Sequence, residues 1–152
     1  MVSVRRPRSP TVSRRTQRAA LAGALAYVTV VLVVWLLAYD GPGLLAGLFT
    51  VQVGPWLVYA FGGAALVGGA LGVSVERYGL VGPTAAVACL FAVALYQLWQ
   101  ALERPAVLLV GDPFQLYLVA WPAVLAVAVV AGLVERYVRA TMDAENKARN
   151  AS

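Results

Sequence analysis

The sequence predicts an all-α integral membrane protein with four transmembrane helices, and three observations lead to this fold class. First, 61% of the 152 residues are hydrophobic and only 12% are charged, whereas soluble domains carry about 25% charged residues. Second, the apolar residues form four runs, each close to the length of about 20 residues that crosses a hydrocarbon core. Third, the charged residues lie between and beyond these runs, because lipid penalises charge in its interior.

The first apolar run covers residues 19–39 and follows a basic arm at residues 1–18. Arg14 and Arg15 form a twin-arginine pair before it, so a secretory signal has to be considered. The apolar part of a signal is usually about 7–15 residues long and precedes an exported domain. Here the run is longer and further apolar runs follow, so a retained helix is expected.

The other three helices are expected at residues 55–75, 80–102 and 114–135, which completes a transmembrane domain at residues 19–137. Pro122 lies inside the last of these runs, and its missing N–H predicts a kink there. The polar tail at residues 138–152 is expected to fray or to lack fixed structure.

The basic residues predict that both termini are cytoplasmic. Of the 12 lysines and arginines in the chain, Arg104 alone falls on the outer side when the four helices alternate in direction. An excess of basic residues in short flanking segments marks the cytoplasmic side of a membrane protein. The arm also favours anionic lipid headgroups as its partner over nucleic acid, since a membrane-spanning segment is attached to it. The inner basic residues are Arg5, Arg6, Arg8, Arg14, Arg15, Arg18, Arg77, Arg136, Arg139, Lys147 and Arg149.

The tetrapeptide "VERY" occurs at residues 75–78 and again at residues 134–137. With these copies aligned, "VGPW" before the second helix resembles "VGDPF" before the fourth. Two helical hairpins in the same orientation would form a parallel internal repeat. The Glu-Arg-Tyr residues then serve either as anchors at the cytoplasmic boundary, which we favour, or as a gate or partner-docking patch. They are Glu76, Arg77, Tyr78, Glu135, Arg136 and Tyr137.

Small residues recur at four-residue steps on the second helix, as Ala60, Ala64, Gly68 and Gly72. In lipid, helices associate through close backbone approach at such small residues. Ala128 and Gly132 form a shorter ridge on the fourth helix. These ridges predict tight helix packing, with a partner either within the chain or in another copy.

The composition offers little catalytic chemistry. The chain has no histidine and a single cysteine, Cys89, so neither a histidine-based metal or haem site nor a Ser-His-Asp arrangement can form. We expect no enzymatic activity, no cofactor, no metal and no identifiable small-molecule substrate. Gln97 and Gln100 could line a shallow polar pocket on the third helix, although bridging to a neighbouring helix is the commoner role of such residues.

Together these features predict a small multi-pass protein of the cell membrane, most simply a scaffold or accessory subunit that associates through small-residue helix faces. Its protein partner would be a second copy or another membrane protein. The alternative is a small channel or transporter that works as a homo-oligomer. A buried polar track through the bundle would favour transport, whereas a dry core would favour assembly.

Overall fold

The computed structural model describes residues 13–38, 54–103 and 113–150, and each regular element in these ranges is an α-helix. Within them, the predictions of an all-helical chain and of four helices long and apolar enough to cross a membrane are confirmed. Most of the basic arm lies outside the described residues, as do most of the segments that join the first predicted helix to the second and the third to the fourth. The helices are α1 (Arg14–Ala38), α2 (Gly54–Tyr78), α3 (Gly82–Glu103), α4 (Pro113–Val119) and α5 (Trp121–Asn150).

Local capping explains where α1 begins and α2 ends. Ser13 precedes α1, and its Oγ accepts a hydrogen bond of 3.2 Å from the Thr16 backbone N–H, as expected of an N-cap. Gly79 follows α2 with a φ of 59°, and its N–H donates to the Val75 carbonyl at 3.0 Å. This left-handed residue is the usual glycine termination of a helix. The first "VERY" therefore forms the last turn of α2.

The single fourth helix predicted at residues 114–135 is instead two helices, with the break at Ala120. Pro122 has no N–H to continue the helical pattern, and the Ala123 N–H donates to the Ala120 carbonyl at 2.9 Å. The Val119 carbonyl accepts a bond of 3.3 Å from the Tyr59 hydroxyl of α2. A neighbouring helix thus compensates for the interrupted backbone, which is how lipid-embedded helices tolerate proline.

The tail predicted to fray continues α5 as far as Asn150, so that expectation was wrong. Alanine, glutamate, lysine and arginine dominate this segment, and all of them favour helix. Lys147 and Arg149 lie in the last turn, where positive charge interacts favourably with the helix dipole. The second "VERY" therefore lies inside a helix.

The helices pack most extensively in two pairs, α1 on α2 and α3 on α5. One core cluster includes Val31 and Trp35 of α1 with Leu57 of α2 and Phe114 of α4. A second cluster joins α2 and α3 to α5 and contains Val67, Val87, Val124 and Ala128. The two pairs are thus joined through the buried faces of α2 and α4.

Three glycines bring the backbones of α1 and α2 into direct contact. A Cβ atom built on Gly68 would lie 2.6 Å from the Tyr27 Cβ and 3.0 Å from the Ala24 Cα. A Cβ on Gly23 would lie 3.0 Å from the Gly72 Cα. These separations leave no room for a side chain, so glycine sets the distance between the two helices.

Candidate functional site

The small residues singled out on α2 face two different neighbours. Ala60 and Ala64 are buried against the bundle core, whereas Gly68 and Gly72 contact α1. The partner of Gly68 and Gly72, left open by the sequence, is therefore α1 of the same chain. On α5, Ala128 is buried in the second core cluster, and a Cβ on Gly132 would lie 3.1 Å from the Pro83 Cγ of α3.

Another set of small residues forms an outward-facing groove of about 570 Å³ between α1 and α2. We call it the small-residue groove. Its floor contains Ala20 and Ala24 of α1 with Ala65 and Gly69 of α2, and Leu21, Leu66, Ala70 and Val73 complete it. A Cβ on Gly69 would be 3.5 Å from the Ala20 carbonyl oxygen, an ordinary contact. The groove therefore has space for side chains that the α1–α2 interface itself lacks.

Aromatic side chains fill the centre of the bundle. The Phe91 ring lies 6.1 Å from Tyr27, 6.2 Å from Phe114 and 5.7 Å from Tyr117, measured between ring centroids. The hydroxyls of Tyr27 and Tyr117 are hydrogen-bonded to each other, which ties α1 to α4. Mutual pairing satisfies two polar groups that would otherwise be costly in an apolar interior.

Trp121 packs next to this centre. Its ring lies 5.7 Å from that of Tyr59, and its Nε1 would be 2.6 Å from a Cβ built on Gly63. Gly63 thus makes space for the indole. Within the described ranges, the Trp121 Nε1 is buried without a hydrogen-bond acceptor.

At the C-terminal end of α2, the first Glu-Arg-Tyr contacts the start of α1. Glu76 forms an ion pair with Arg15, whose side chain is 85% exposed. The Arg77 guanidinium lies 5.6 Å from the centroid of the Tyr78 ring, a distance at which a cation–π attraction operates. The Tyr78 side chain is half exposed.

The second Glu-Arg-Tyr contacts the start of α3. The Glu135 carboxylate accepts a hydrogen bond of 2.6 Å from the Gly82 N–H and one of 3.3 Å from the Val81 N–H. A negative charge at the N-terminus of a helix satisfies orphan donors and interacts favourably with the helix dipole. Arg139 holds the carboxylate in place, because it pairs with Glu135 and donates to the Gly79 carbonyl at 3.0 Å.

The six Glu-Arg-Tyr residues do not meet as one cluster of charges. Each glutamate pairs with an arginine outside the tetrapeptide, Arg15 or Arg139. Arg136 lines a groove together with Gly132 and with Tyr78 of the first copy, and Tyr137 is largely exposed. In the described ranges, the glutamates are thus paired outside the tetrapeptides and not with Arg77 or Arg136.

The two glutamines of the proposed polar pocket lie on the exposed surface of α3 and have different surroundings. The Gln100 Nε2 donates to the Tyr96 hydroxyl at 2.5 Å. Gln97 lines a groove of about 300 Å³ with residues of α4 and α5, including Pro113 and Ala123. Gln100 is not part of that groove.

A further groove, of about 480 Å³, lies on the other side of the α1–α2 interface and extends towards α3. We call it the Tyr27 groove. It contains Gly23, Ala26 and Tyr27 of α1, Gly72 and Glu76 of α2, and Thr84 of α3. Val30 and Val75, at its edges, are each about half exposed, so the groove opens on the outer surface of the bundle.

Several of these contacts were missed from the sequence. Arg139 follows Glu135 by four residues, a spacing that signals an ion pair on a helix, so this partner could have been found. No local pattern pairs Arg15 with Glu76, Tyr27 with Tyr117, or Tyr59 with Val119. Those contacts depend on how the helices cross.

In the described ranges, no three potential metal-ligating side chains of the His, Cys, Asp or Glu type come together. No protein-family model matches the chain, and no curated protein or solved structure is detectably similar to it.

Proposed function

We propose that this chain is a non-enzymatic scaffold or accessory subunit of the cell membrane, which binds a transmembrane helix of a second copy or of another membrane protein. The observation that carries the proposal is the small-residue groove. Its floor of Ala20, Ala24, Ala65 and Gly69 faces outward, although lipid-facing surfaces have no need for small side chains.

The physics of helix association in lipid supports this role. Apolar side chains gain no hydrophobic energy from leaving lipid, so association depends on van der Waals contact at close range. A floor of alanine and glycine lets a neighbouring backbone approach closely, and the flanking Leu21 and Leu66 supply contact area. Gly62, one turn before Leu66, has open space around its Cβ position and extends the accessible surface.

The composition of the bundle centre argues against the transport alternative for a single copy. The paired hydroxyls of Tyr27 and Tyr117 adjoin the Phe91 ring, which in turn packs on Phe114. Among the described residues, none with a polar or charged side chain is fully buried. A conducting pathway would therefore have to run between copies, as the homo-oligomeric alternative requires.

Matching contacts support a tandem origin of the two hairpins. Gly72 packs on the Ala19 carbonyl, and Gly82 packs on the Ala131 carbonyl, 3.4 Å from its Cβ position. Alignment of the "VERY" copies places Ala131 opposite Gly72. The segments "AYDGPGLL" and "ALERPAVLL", which begin at Ala38 and Ala101, also resemble each other, and their alignment places Gly82 opposite Ala19. In each pair of helices, the glutamate of "VERY" also binds the start of the preceding long helix.

The proposed topology puts these glutamate-bearing ends and both termini in the cytoplasm. Arg15, Arg77, Arg136 and Arg139 lie at that end of the bundle, and the arm adds further arginines. Basic residues are retained on the cytoplasmic side during insertion and bind anionic headgroups there.

The test combines assembly state with substitution in the groove. The protein is purified in a mild detergent, its mass is measured by light scattering, and stoichiometric partners are identified by mass spectrometry. Gly69→Leu should fill the groove without forcing α1 and α2 apart, and should shift the protein to a monomer or release the partner. Ala92→Leu, which places the same leucine side chain on the exposed surface of α3, should leave the complex intact.

Two outcomes would contradict the proposal. One is a monomeric wild-type protein without stoichiometric partners. The other is an assembly that conducts ions in liposomes and is unaffected by Gly69→Leu, which would favour the channel alternative.

A further inference from the structure

The Tyr27 groove has the dimensions of one membrane leaflet. On α1 it extends from Ala19 to Val30, and eleven steps of about 1.5 Å correspond to roughly 16 Å along the helix. The hydrocarbon core is about 30 Å thick, so one leaflet accounts for roughly 15 Å. The groove volume of about 480 Å³ falls in the range of about 300–1,000 Å³ that is usual for ligand sites.

The groove exists because α1 is held against α2 and not against α3. The glycine contacts at Gly23, Gly68 and Gly72 fix α1 close to α2, and α1 makes no backbone contact with α3 within the described ranges. Thr84 of α3 forms the opposite wall. An elongated apolar slot therefore remains between α1 and α3, and Tyr27 is one of the residues that line it.

Opposite charges stand at the mouth of the groove. Glu76 is the one acid among the described lining residues, and it is paired with Arg15. Arg15 is one helical turn before Ala19 and its side chain is 85% exposed, so the guanidinium can take a second partner. A phosphate fits the guanidinium, and an ammonium group fits the carboxylate.

From this geometry we propose that the Tyr27 groove is a binding site for an aminophospholipid such as phosphatidylethanolamine. One acyl chain lies in the slot between Ala26 and Gly72, the phosphate binds Arg15, and the headgroup ammonium binds Glu76. A purely anionic headgroup would place its negative charge beside Glu76. A choline headgroup has no N–H to donate to the carboxylate.

The proposal is tested by native mass spectrometry of the full chain, equilibrated with equal amounts of phosphatidylethanolamine, phosphatidylcholine and phosphatidylglycerol. The wild type should retain one phosphatidylethanolamine in preference to the other two by about fivefold, the ratio that one exposed charge contact supports. Glu76→Gln should bring the ethanolamine-to-choline ratio close to one, while a bound lipid persists.

Ala26→Phe tests the slot itself. Ala26 is exposed and lies away from the glycine contacts, so the added ring should occupy the acyl-chain position and abolish lipid retention. Ala92→Phe adds the same ring on the exposed surface of α3 and should retain lipid as the wild type does. Circular dichroism and elution volume establish that each variant is folded.

Equal retention of the three lipids by the wild type would overturn the proposal, as would a preference for phosphatidylglycerol. Undiminished retention by folded Ala26→Phe would also overturn it. If Ala26→Phe does not fold, the headgroup ratio of Glu76→Gln decides alone. The proposed assembly role is tested at a different groove by Gly69→Leu, so the two proposals can fail separately.

Discussion

Replacement of Gly68 by alanine should separate α1 from α2. The new Cβ would lie 2.6 Å from the Tyr27 Cβ and 3.0 Å from the Ala24 Cα, whereas ordinary contacts begin at 3.4 Å. Both opposing atoms are fixed to the α1 backbone, so no side-chain rotation relieves the overlap. The helices must therefore move apart by at least about 0.8 Å, the difference between 3.4 and 2.6 Å, because the Gly23 carbonyl oxygen would be closer still to the new Cβ.

A displacement of this size is costly because dispersion forces act over a short range. A gap of about 0.5–1 Å forfeits roughly a quarter to a half of the attraction between facing atoms. Overpacking in a close-packed interface typically costs about 1–3 kcal/mol. Gly62→Ala is the matched control on the same helix, since its Cβ would have nothing within 4 Å. In that variant the higher helix propensity of alanine should leave stability unchanged or raise it by up to about 1 kcal/mol.

The assay is equilibrium unfolding in mixed micelles, with sodium dodecyl sulfate as the denaturant and helicity as the signal. Gly68→Ala should unfold at a lower fraction of denaturing detergent than the wild type, and Gly62→Ala should not. If the two variants unfold together, α1 and α2 do not pack through these glycines, and the arrangement of both grooves beside them is wrong.

The same unfolding assay checks three further predictions. Tyr117→Phe removes the hydrogen bond to Tyr27 and should lower the free energy of unfolding by about 0.5–1.5 kcal/mol. The Tyr27→Phe/Tyr117→Phe double variant should lose no more stability than either single variant. Fully additive losses would mean that the two hydroxyls do not interact. Gly79→Ala forces alanine into a φ of 59° and should cost about 1 kcal/mol, an expectation that an unchanged midpoint would contradict. Glu135→Gln weakens the hydrogen bonds to the start of α3 and should lower the unfolding midpoint. Glu76→Gln should lower it less, because Arg15, the partner of Glu76, is highly exposed. The reverse order would refute the capping role of Glu135.

The long apolar helices were predictable because lipid imposes a minimum length and excludes charge, and both constraints are visible in a single run of residues. Pro122 was identified as a site of disturbance, but a full break at Ala120 depends on another helix, whose Tyr59 hydroxyl donates a hydrogen bond to the Val119 carbonyl. The continuation of α5 was missed because polarity at residues 138–152 was taken to outweigh their high helix propensity.

The surfaces were less predictable than the helices. The four-residue spacing of Gly68 and Gly72 indicated a contact face. The helix that packs on this face is α1, which contacts it through Gly23, and no repeated spacing marks Gly23 in the sequence. Once α1 occupies that face, Ala65 and Gly69 become the small residues left outside. The rotation of each helix about its axis decides which small residues pack inside the fold and which remain available to a partner. The four-residue spacing alone does not encode this rotation.

The central claim is that these helices cross a membrane with both chain ends on the cytoplasmic side. Single cysteines introduced as Glu103→Cys and Ser152→Cys, in a chain carrying Cys89→Ala, can be labelled with a membrane-impermeant maleimide in intact cells and after lysis. The account predicts that Glu103→Cys reacts in intact cells and that Ser152→Cys reacts only after lysis. Labelling of Ser152→Cys in intact cells, or recovery of the protein in a detergent-free soluble fraction, would contradict it.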